Sequence, residues 1–162
     1  TNVTDAASWG ALTTEAYCIY DDNASNEFDT YGALYNWYAA TDAHNIAPDG
    51  WHVPTDDEWQ VLVDFLGGEG FAAGQMKETG YTHWLEPNAG ANNESGFTGL
   101  PGGFRTFDQG NYYSVGNYAY YWSATENEGD HAWCRALLYD TAGIERYSAD
   151  KRYGISIRCL RN

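Results

Sequence analysis

The chain has 162 residues, of which 23 are acidic and eight are basic, so its formal net charge at pH 7 is −15. This charge argues against nucleic acid and anionic membrane as partners, because both require a basic patch. The length predicts one domain over residues 1–162, and no apolar run approaches the roughly 20 residues that cross a bilayer.

Aromatic residues make up 17% of the chain, with seven tryptophans and 14 tyrosines, and glycine is also frequent. Trp and Tyr offer a large contact area at a low cost in conformational entropy, which suits binding surfaces. The composition therefore predicts an irregular, loop-rich fold with aromatic side chains available for recognition.

A strand and a helix are predicted in the first quarter of the chain. The strand covers residues 16–20. The helix covers residues 31–40, where Leu34, Trp37 and Tyr38 recur at the spacing of one helical face.

A second helix is predicted to begin at Asp56. Thr55 has N-cap chemistry, and Glu58 three residues later completes a Thr-x-x-Glu capping box. We attribute Asp56 and Asp57 to the helix dipole, not to a glycosidase-type acid pair. Apolar residues then recur at helical spacing until two glycines end the helix.

Long loops with short strands are predicted over residues 67–117, and loops of that length are usually functional. Alternating patterns then predict strands over residues 118–125, 132–139, 144–148 and 155–160, with a turn over 140–143. Early helices and a late antiparallel sheet predict the α+β class. We expect the N- and C-terminal strands to lie together and both helices to pack on the sheet.

The strand over residues 132–139 alternates most cleanly. Cys134, Ala136 and Leu138 fall on one face, and larger side chains, including Trp133 and Arg135, fall on the other. The first face is chemically the more varied, so we expect it to be displayed to solvent.

The three cysteines, Cys18, Cys134 and Cys159, lack the spacing of a zinc site. Two interpretations stay open. A Cys18–Cys159 bridge can join the two ends of the chain and leave one free thiol, or all three thiols are reduced and partly buried.

Histidines and tryptophans give no catalytic pattern. His44, His52 and His83 have no partner at metalloprotease spacing and are interpreted as structural or surface residues. Trp51 and Trp59 are interpreted as core residues.

Five motifs follow one another along the chain. They read YGALYNWYAA at 31–40, IAPDGWHVPTDDEW at 46–59, NESGFTGLPGGFR at 93–105, YWSATE at 121–126 and GISIRC at 154–159. Through them the chain resembles the Fibrobacter succinogenes major paralogous domain, abbreviated FISUMP.

The resemblance implies a C-type lectin-like fold, in the branch shared with formylglycine-generating enzymes, where a comparable Leu-Pro-Thr-x-x-Glu-Trp element opens a helix. It also implies an extracellular or cell-surface domain of bacterial or phage origin. No enzymatic activity is implied. The expected partner is a protein or glycan ligand on a cell surface, with no insertion of this domain into the membrane.

Some relatives of this family are variable proteins of diversity-generating retroelements, whose last strands vary. In such proteins the variable positions derive from asparagine codons of a template through changes of adenines. Glu128 and Glu145 cannot arise from an asparagine codon by changing adenines alone. Two interpretations therefore stay open, a diversified protein and an ordinary family member. The resemblance places the ligand-binding surface on the last strands, at Glu128, Asp130, His131, Cys134, Ala136, Leu138, Asp140, Thr141, Glu145, Tyr147, Ser148, Asp150, Arg152 and Tyr153.

Two alternatives carry different chemistry. Glu86-Pro87-Asn88 matches the sugar-binding triplet of calcium-dependent lectins, but the Trp-Asn-Asp element that accompanies it is missing, which favours a plain turn. An oxidase of the formylglycine-generating type requires two nearby cysteines, whereas Cys134 and Cys159 lie on different predicted strands. We predict no catalytic residues and no cofactor, and structural calcium in the acidic loops stays open.

Overall fold

A computed structural model describes residues 1–22, 27–44 and 46–162 of the chain. The elements in these residues form the α+β class that the sequence predicts. The helices are α1 (Ala6–Gly10), α2 (Glu27–Tyr31), α3 (Trp37–Ala40), α4 (Asp56–Phe65) and α5 (Ala72–Met76). The strands are β1 (Tyr17–Ile19), β2 (Ala33–Tyr35), β3 (Trp51–His52), β4 (Gly102–Arg105), β5 (Tyr112–Val115), β6 (Tyr118–Glu126), β7 (His131–Leu138), β8 (Ile144–Asp150) and β9 (Leu160–Arg161).

The largest sheet has five strands in the order β5-β4-β6-β7-β8. Strands β6, β7 and β8 are antiparallel neighbours, as the alternating sequence predicts, while β4 meets β6 in a parallel bridge. Two small sheets pair β1 with β2 and β3 with β9. The expectation that the terminal strands lie together is therefore wrong.

The predicted strand over residues 155–160 is also wrong, because only Leu160–Arg161 is a strand there. Consecutive residues of this tail bridge to different segments. Gly154 pairs with Arg105, Ile155 with Tyr35, and Ser156 with Tyr121. A segment that changes partner at every residue cannot build one continuous ladder.

Helix α4 begins and ends where the sequence predicts. The Thr55 side chain accepts a hydrogen bond from the Glu58 amide, and the Glu58 carboxylate accepts one from the Thr55 amide, so both bonds of the capping box form. At the other end, the Gly68 amide donates to the Val63 carbonyl at 2.9 Å and the Gly67 amide to the Asp64 carbonyl at 3.1 Å. These two bonds form a Schellman motif.

The predicted helix over residues 31–40 is wrong. Gly32 has a φ of 75°, which ends α2, and β2 then pairs with β1. The buried Asn36 carboxamide oxygen accepts hydrogen bonds from the amides of Ala16 and Ala39, so it caps α3 and joins it to the first strand. Strand pairing and this buried cap outweigh the helical spacing of the apolar residues.

The two faces of the five-stranded sheet have different coverings. The helix-side face carries Ala119, Tyr121, Trp133, Arg135, Leu137, Ile144 and Arg146. Its core residues pack against Trp59 and Val63 of α4 and against Leu66 at the C-cap of that helix, with Met76 and Trp84. The aromatic face carries Phe104, Tyr118, Tyr120, Trp122, Cys134, Ala136, Leu138 and Tyr147.

Two side-chain expectations have opposite outcomes. Trp59 is buried in the helix-side core, as predicted, whereas Trp51 is 40% exposed, so its assignment to the core is wrong. Trp51 lies on β3, and β3 pairs only with the exposed β9. No helix in the described part of the chain is long and apolar enough to span a membrane.

The three cysteines are free thiols, so the Cys18–Cys159 bridge is wrong. Cys18 lies in a small separate core with Trp9, Ala16 and Leu34. Cys159 instead lines a groove beside α4, so the two thiols belong to different parts of the fold.

Candidate ligand-binding site

The predicted ligand-binding residues lie on β7, β8 and the adjoining turns, but they differ widely in exposure. The exposed ones are Glu128, Asp130, His131, Asp140, Glu145 and Tyr147; the partly buried ones are Leu138, Thr141, Ser148, Arg152 and Tyr153; the buried ones are Cys134, Ala136 and Asp150. Strand β7 has eight residues and separates the two turns by roughly 25 Å. These residues therefore do not form one continuous surface.

The expectation that Cys134 and Ala136 are displayed to solvent is wrong, because both are almost fully buried. Tyr120 and Tyr147 lie on the two strands that flank β7, two strand spacings or roughly 9.5 Å apart. Their ring centroids are only 6.2 Å apart. The two rings therefore lean over β7 and cover its small side chains.

Asp150 and Arg152 bond to each other. The Asp150 carboxylate accepts bonds from Arg152 Nε at 2.9 Å and from Nη2 at 2.7 Å. Burial raises the pKa of Asp150, but the hydrogen bonds from Arg152 outweigh it, so this pKa lies below its ordinary value. The Arg152 guanidinium also covers the Phe107 ring at 4.1 Å. The pair fixes the turn that presents Tyr153.

A hollow of about 70 Å³ opens on the aromatic face beside these residues. Phe104, Tyr120, Tyr147 and Tyr153 form its walls, and Ala149 and Ile155 also line it. We call this cavity the aromatic hollow. Four chain segments meet in it, namely β4, β6, β8 and the tail that follows β8.

Sequence reasoning found Tyr147 and Tyr153 but missed Phe104 and Tyr120. Strand β4 reaches this position through its parallel bridge to β6, and such long-range pairing has no local signal. Tyr120 does have a signal. Tyr118, Tyr120 and Trp122 alternate along the first half of β6, so one face of that part of the strand is aromatic.

The rings of the aromatic hollow are tilted against one another. Phe104 and Tyr120 have centroids 5.5 Å apart at an interplanar angle of 83°, and Phe104 and Tyr153 lie 5.9 Å apart at 48°. Tyr120 and Tyr147 meet at 60°. The rings therefore surround a space and do not form a flat platform.

The surroundings of the aromatic hollow are acidic. Burial raises the pKa of Tyr120, and groups that are negative when ionised, Glu145 among them, raise it further. Burial likewise raises the pKa of Tyr153, with added contributions from Tyr147, Asp108 and Asp150. Both phenols are therefore neutral near pH 7, and the nearby carboxylates supply a negative potential.

The Glu86-Pro87-Asn88 triplet directs its amide inward. Asn88 is buried, and its Nδ2 donates to the Glu78 and Gly80 carbonyls at 2.8 Å each. Across the described ranges, no group of three or more His, Cys, Asp or Glu side chains is placed to hold a metal ion. The inward bonds favour the interpretation of this triplet as a turn.

The predicted structural histidines have acidic partners close by. His44 Nδ1 lies 2.6 Å from Asp42, His52 Nε2 lies 3.0 Å from Glu58, and His83 Nδ1 lies 2.8 Å from Glu78. The partners lie two to six positions apart along the chain, so these pairs stabilise local turns.

Asp56 has a second role that sequence reasoning missed. Its carboxylate binds Arg135 Nη2 at 2.8 Å and Arg146 Nε at 2.9 Å, so it joins the start of α4 to β7 and β8. Arg146 also lies over the Trp133 ring at 3.4 Å. This network, which is buried at Asp56 and Arg135 and exposed at Arg146, positions the helix on the side of the sheet opposite the aromatic hollow.

Comparison with known proteins gives one family. The family described as the Fibrobacter succinogenes major domain matches residues 1–161. No curated protein and no solved structure matches the chain.

Proposed function

Because the chain belongs to the Fibrobacter succinogenes major domain family, we propose that it is a non-catalytic ligand-binding domain of a bacterial or phage surface or secreted protein. In this proposal the scaffold is a C-type lectin-like variant of the α+β class. The ligand is a protein or glycan on a cell surface. It contacts the rim of the aromatic hollow and the neighbouring turns after β6 and β8.

The aromatic hollow is the observation that carries this proposal. Tyr147 at its rim is 52% exposed, although it is a large aromatic residue in the middle of a strand. Large exposed aromatic rings around a recess are typical of recognition sites, because they provide contact area at low entropic cost. Asp130, His131 and Glu145 are exposed and can add polar contacts.

The state of the thiols supports a non-catalytic role. Burial raises the pKa of Cys18 and of Cys134, and it also raises the pKa of the half-buried Cys159. A nucleophilic or copper-binding cysteine requires a thiolate, which a raised pKa disfavours. These directions are opposite to those that an oxidase of the formylglycine-generating type requires.

The proposal includes sequence diversification only at exposed positions of the last strands and turns. Asp130 lies in the turn after β6 and His131 begins β7, and both are exposed, so these side chains can change without disturbing the core. Cys134 and Ala136 cannot vary freely, because large side chains at buried sites cost stability. The test is whether a reverse transcriptase gene and an adenine-rich copy of codons 121–159 lie beside the coding sequence.

The binding test uses the whole chain, labelled with a fluorophore, on a printed glycan array and on fixed bacterial and mammalian cells in flow cytometry. We expect binding by the wild type and its loss in a Leu138→Ser, Tyr147→Ser double variant that keeps its melting temperature. Tyr81→Ser is the matched control, because Tyr81 is an exposed tyrosine that does not line the aromatic hollow. Binding that survives in the double variant, or no binding to any probe, contradicts the proposal.

A second candidate function is a structural role in a surface assembly. Val61 and Phe65 on α4 are 69% and 83% exposed, and the nearby Phe71 is 67% exposed. An apolar patch of this kind is typical of protein contacts. Sedimentation velocity tests it, since self-association that a Phe65→Ser variant abolishes supports assembly and a monomer at all concentrations contradicts it.

A further inference from the structure

We propose that the aromatic hollow binds a methylated quaternary ammonium group. The trimethylammonium head is enclosed by the aromatic side chains of Phe104, Tyr120, Tyr147 and Tyr153. This inference rests on the proposed function and names the chemistry of its ligand. The aromatic rings bind the cation through their faces, and nearby carboxylates complement its charge.

The size of the aromatic hollow fits this group. A water molecule needs roughly 10–15 Å³ of cavity volume. The aromatic hollow has about 70 Å³, so it accommodates about five groups of the size of a water molecule. A trimethylammonium head with its adjoining methylene also has about five non-hydrogen atoms. A bare ammonium ion is smaller and strongly hydrated, and a full sugar ring is larger than this space.

The tilt of the rings favours a spherical cation over a flat ligand. Interplanar angles of 48° to 83° between neighbouring rings direct different faces and edges toward one space. The flat side of a sugar stacks on one ring face at a time, so it cannot contact several mutually tilted rings together. A trimethylammonium head has no flat side and can contact several tilted rings together.

The chain uses its own cations on aromatic rings elsewhere. Arg146 lies over Trp133, Lys151 over Trp37, and Arg152 over Phe107, at 3.4 to 4.9 Å from the ring centroids. In the described residues, no Lys or Arg of the chain is placed over the rings of Phe104, Tyr120, Tyr147 or Tyr153. No cation of the described chain therefore competes with an outside cation for these four rings.

Glu145 lies where it can face the bound charge. Tyr120, Ala136 and Glu145 form one row across β6, β7 and β8 and share a face of the sheet. Ala136 has only a methyl group, so no tall side chain stands between Glu145 and the Tyr120 ring. Arg152, which precedes Tyr153 in the chain, is held by both oxygens of Asp150, so its charge is balanced by that carboxylate and not by Glu145.

The test is a titration of the full chain with choline, followed by chemical-shift changes in ¹H–¹⁵N spectra. The matched ligand is 3,3-dimethylbutan-1-ol, which has the shape of choline without its charge. Since a cation–π contact contributes about 0.5–2 kcal/mol, we expect choline to bind about tenfold more tightly than the alcohol. The shifted amides should belong to β4, β6, β8 and the tail after β8.

Two variants locate the site and its chemistry. Tyr147→Leu keeps apolar bulk but loses the ring, and should weaken choline binding about five- to tenfold, whereas Tyr147→Phe restores it. Glu145→Gln should weaken choline severalfold and leave the neutral alcohol unchanged. Tyr81→Leu, at an exposed residue that does not line the aromatic hollow, should change neither affinity.

Each contrary outcome has one meaning. Equal affinity for choline and the alcohol, an unaltered Tyr147→Leu variant, or no shift with choline overturns the ammonium proposal. If Tyr147 variants still lose binding on the glycan array or on cells, the proposed function stands and only its ligand chemistry is wrong. Phosphocholine and a trimethyllysine peptide serve as further arms, and the phosphate next to Glu145 should make phosphocholine the weaker ligand.

Discussion

The two faces of the five-stranded sheet enclose β7 by different means. On the helix-side face, α4 covers the strand, and Arg135 is buried there in an ion pair with Asp56. On the aromatic face, Cys134 packs with Trp122, Ile155 and Ala40 of α3, and the rings of Tyr120 and Tyr147 approach each other beside it. The helix-side face is closed by the longer helix α4 with a buried ion pair, and the aromatic face by the short helix α3 and by tilted rings that leave a hollow.

This difference separates support from recognition. The loss of either partner of a buried ion pair is strongly destabilising. The helix-side face should therefore tolerate few substitutions. An aromatic side chain at the rim is in contact with the protein on only part of its surface. Substitutions at the edge of the aromatic face should therefore cost less stability. A rigid face behind an adaptable one is a suitable scaffold for a binding site.

The largest effect should come from Asp56→Ala. This change leaves the buried Arg135 guanidinium without its carboxylate and should lower the free energy of unfolding by about 3–5 kcal/mol. Urea unfolding of both proteins measures it. Asp57→Ala is the matched control, because Asp57 is exposed at the same helix end and should cost less than about 1 kcal/mol. Equal effects of the two changes would contradict the role assigned to the buried pair.

Lys77 is another buried charged residue, and it lies in the loops beside the helix-side core. Its Nζ donates to the carbonyls of Ala89, Leu138 and Thr141 at 2.8 to 3.0 Å, and the residue is fully buried. Lys77→Met removes three donors and should cost about 2–4 kcal/mol at pH 7.

The pH dependence of Lys77 has a defined sign. Burial lowers its pKa to about 8 in the folded chain, from 10.5 for an ordinary lysine. Between these values the unfolded chain holds the proton and the folded chain does not, so this group makes the free energy of unfolding rise with pH. The advantage of wild type over Lys77→Met should therefore grow from pH 8 to pH 10. A constant or shrinking difference would show that the lysine keeps its proton in the fold.

On the aromatic face, Ala136→Leu should have an intermediate effect. Ala136 is buried beside Tyr120, on the face where the rings of Tyr120 and Tyr147 approach each other, so a larger side chain must displace its neighbours. We expect a loss of about 1–2 kcal/mol in thermal or urea unfolding. Ala11→Leu, at an exposed alanine, should stay within about 0.5 kcal/mol. A neutral Ala136→Leu variant would mean that this face is open, as the sequence predicted.

The smallest effect on stability should come from Tyr147→Leu. The ring is half exposed at the rim, so its loss should change the free energy of unfolding by less than about 1 kcal/mol. The same variant is expected to lose ligand binding. A large loss of stability would place Tyr147 in the core and remove it from the proposed site.

Local signals in the sequence were sufficient for α4 and for the strands β6, β7 and β8. The capping box at Thr55 and Glu58 and the glycine pair after Leu66 act through hydrogen bonds within a few residues, so neighbours in sequence determine them. Alternation along β7 likewise follows from the strand backbone. The helix predicted over residues 31–40 failed because Gly32 and the strand pairing of β2 with β1 interrupt it.

Only part of the candidate site could be predicted from the sequence, because the rest of it depends on the pairing of strands. Tyr147 and Tyr153 lie in the region that the family resemblance indicates, but Phe104 joins them through a parallel bridge between β4 and β6. The charged cluster of Asp56 with Arg135 and Arg146 spans 90 positions and has no local pattern.

The sequence by itself determined the family, the α+β class, the limits of α4 and the two faces of β7. Which of those faces is covered, and by what, was decided by the tertiary structure. Alternation assigns side chains to opposite faces, but coverage depends on segments that arrive from far along the chain. Phe104, Tyr120 and the tail after Asp150 converge over β7 and turn the expected open face into an aromatic hollow.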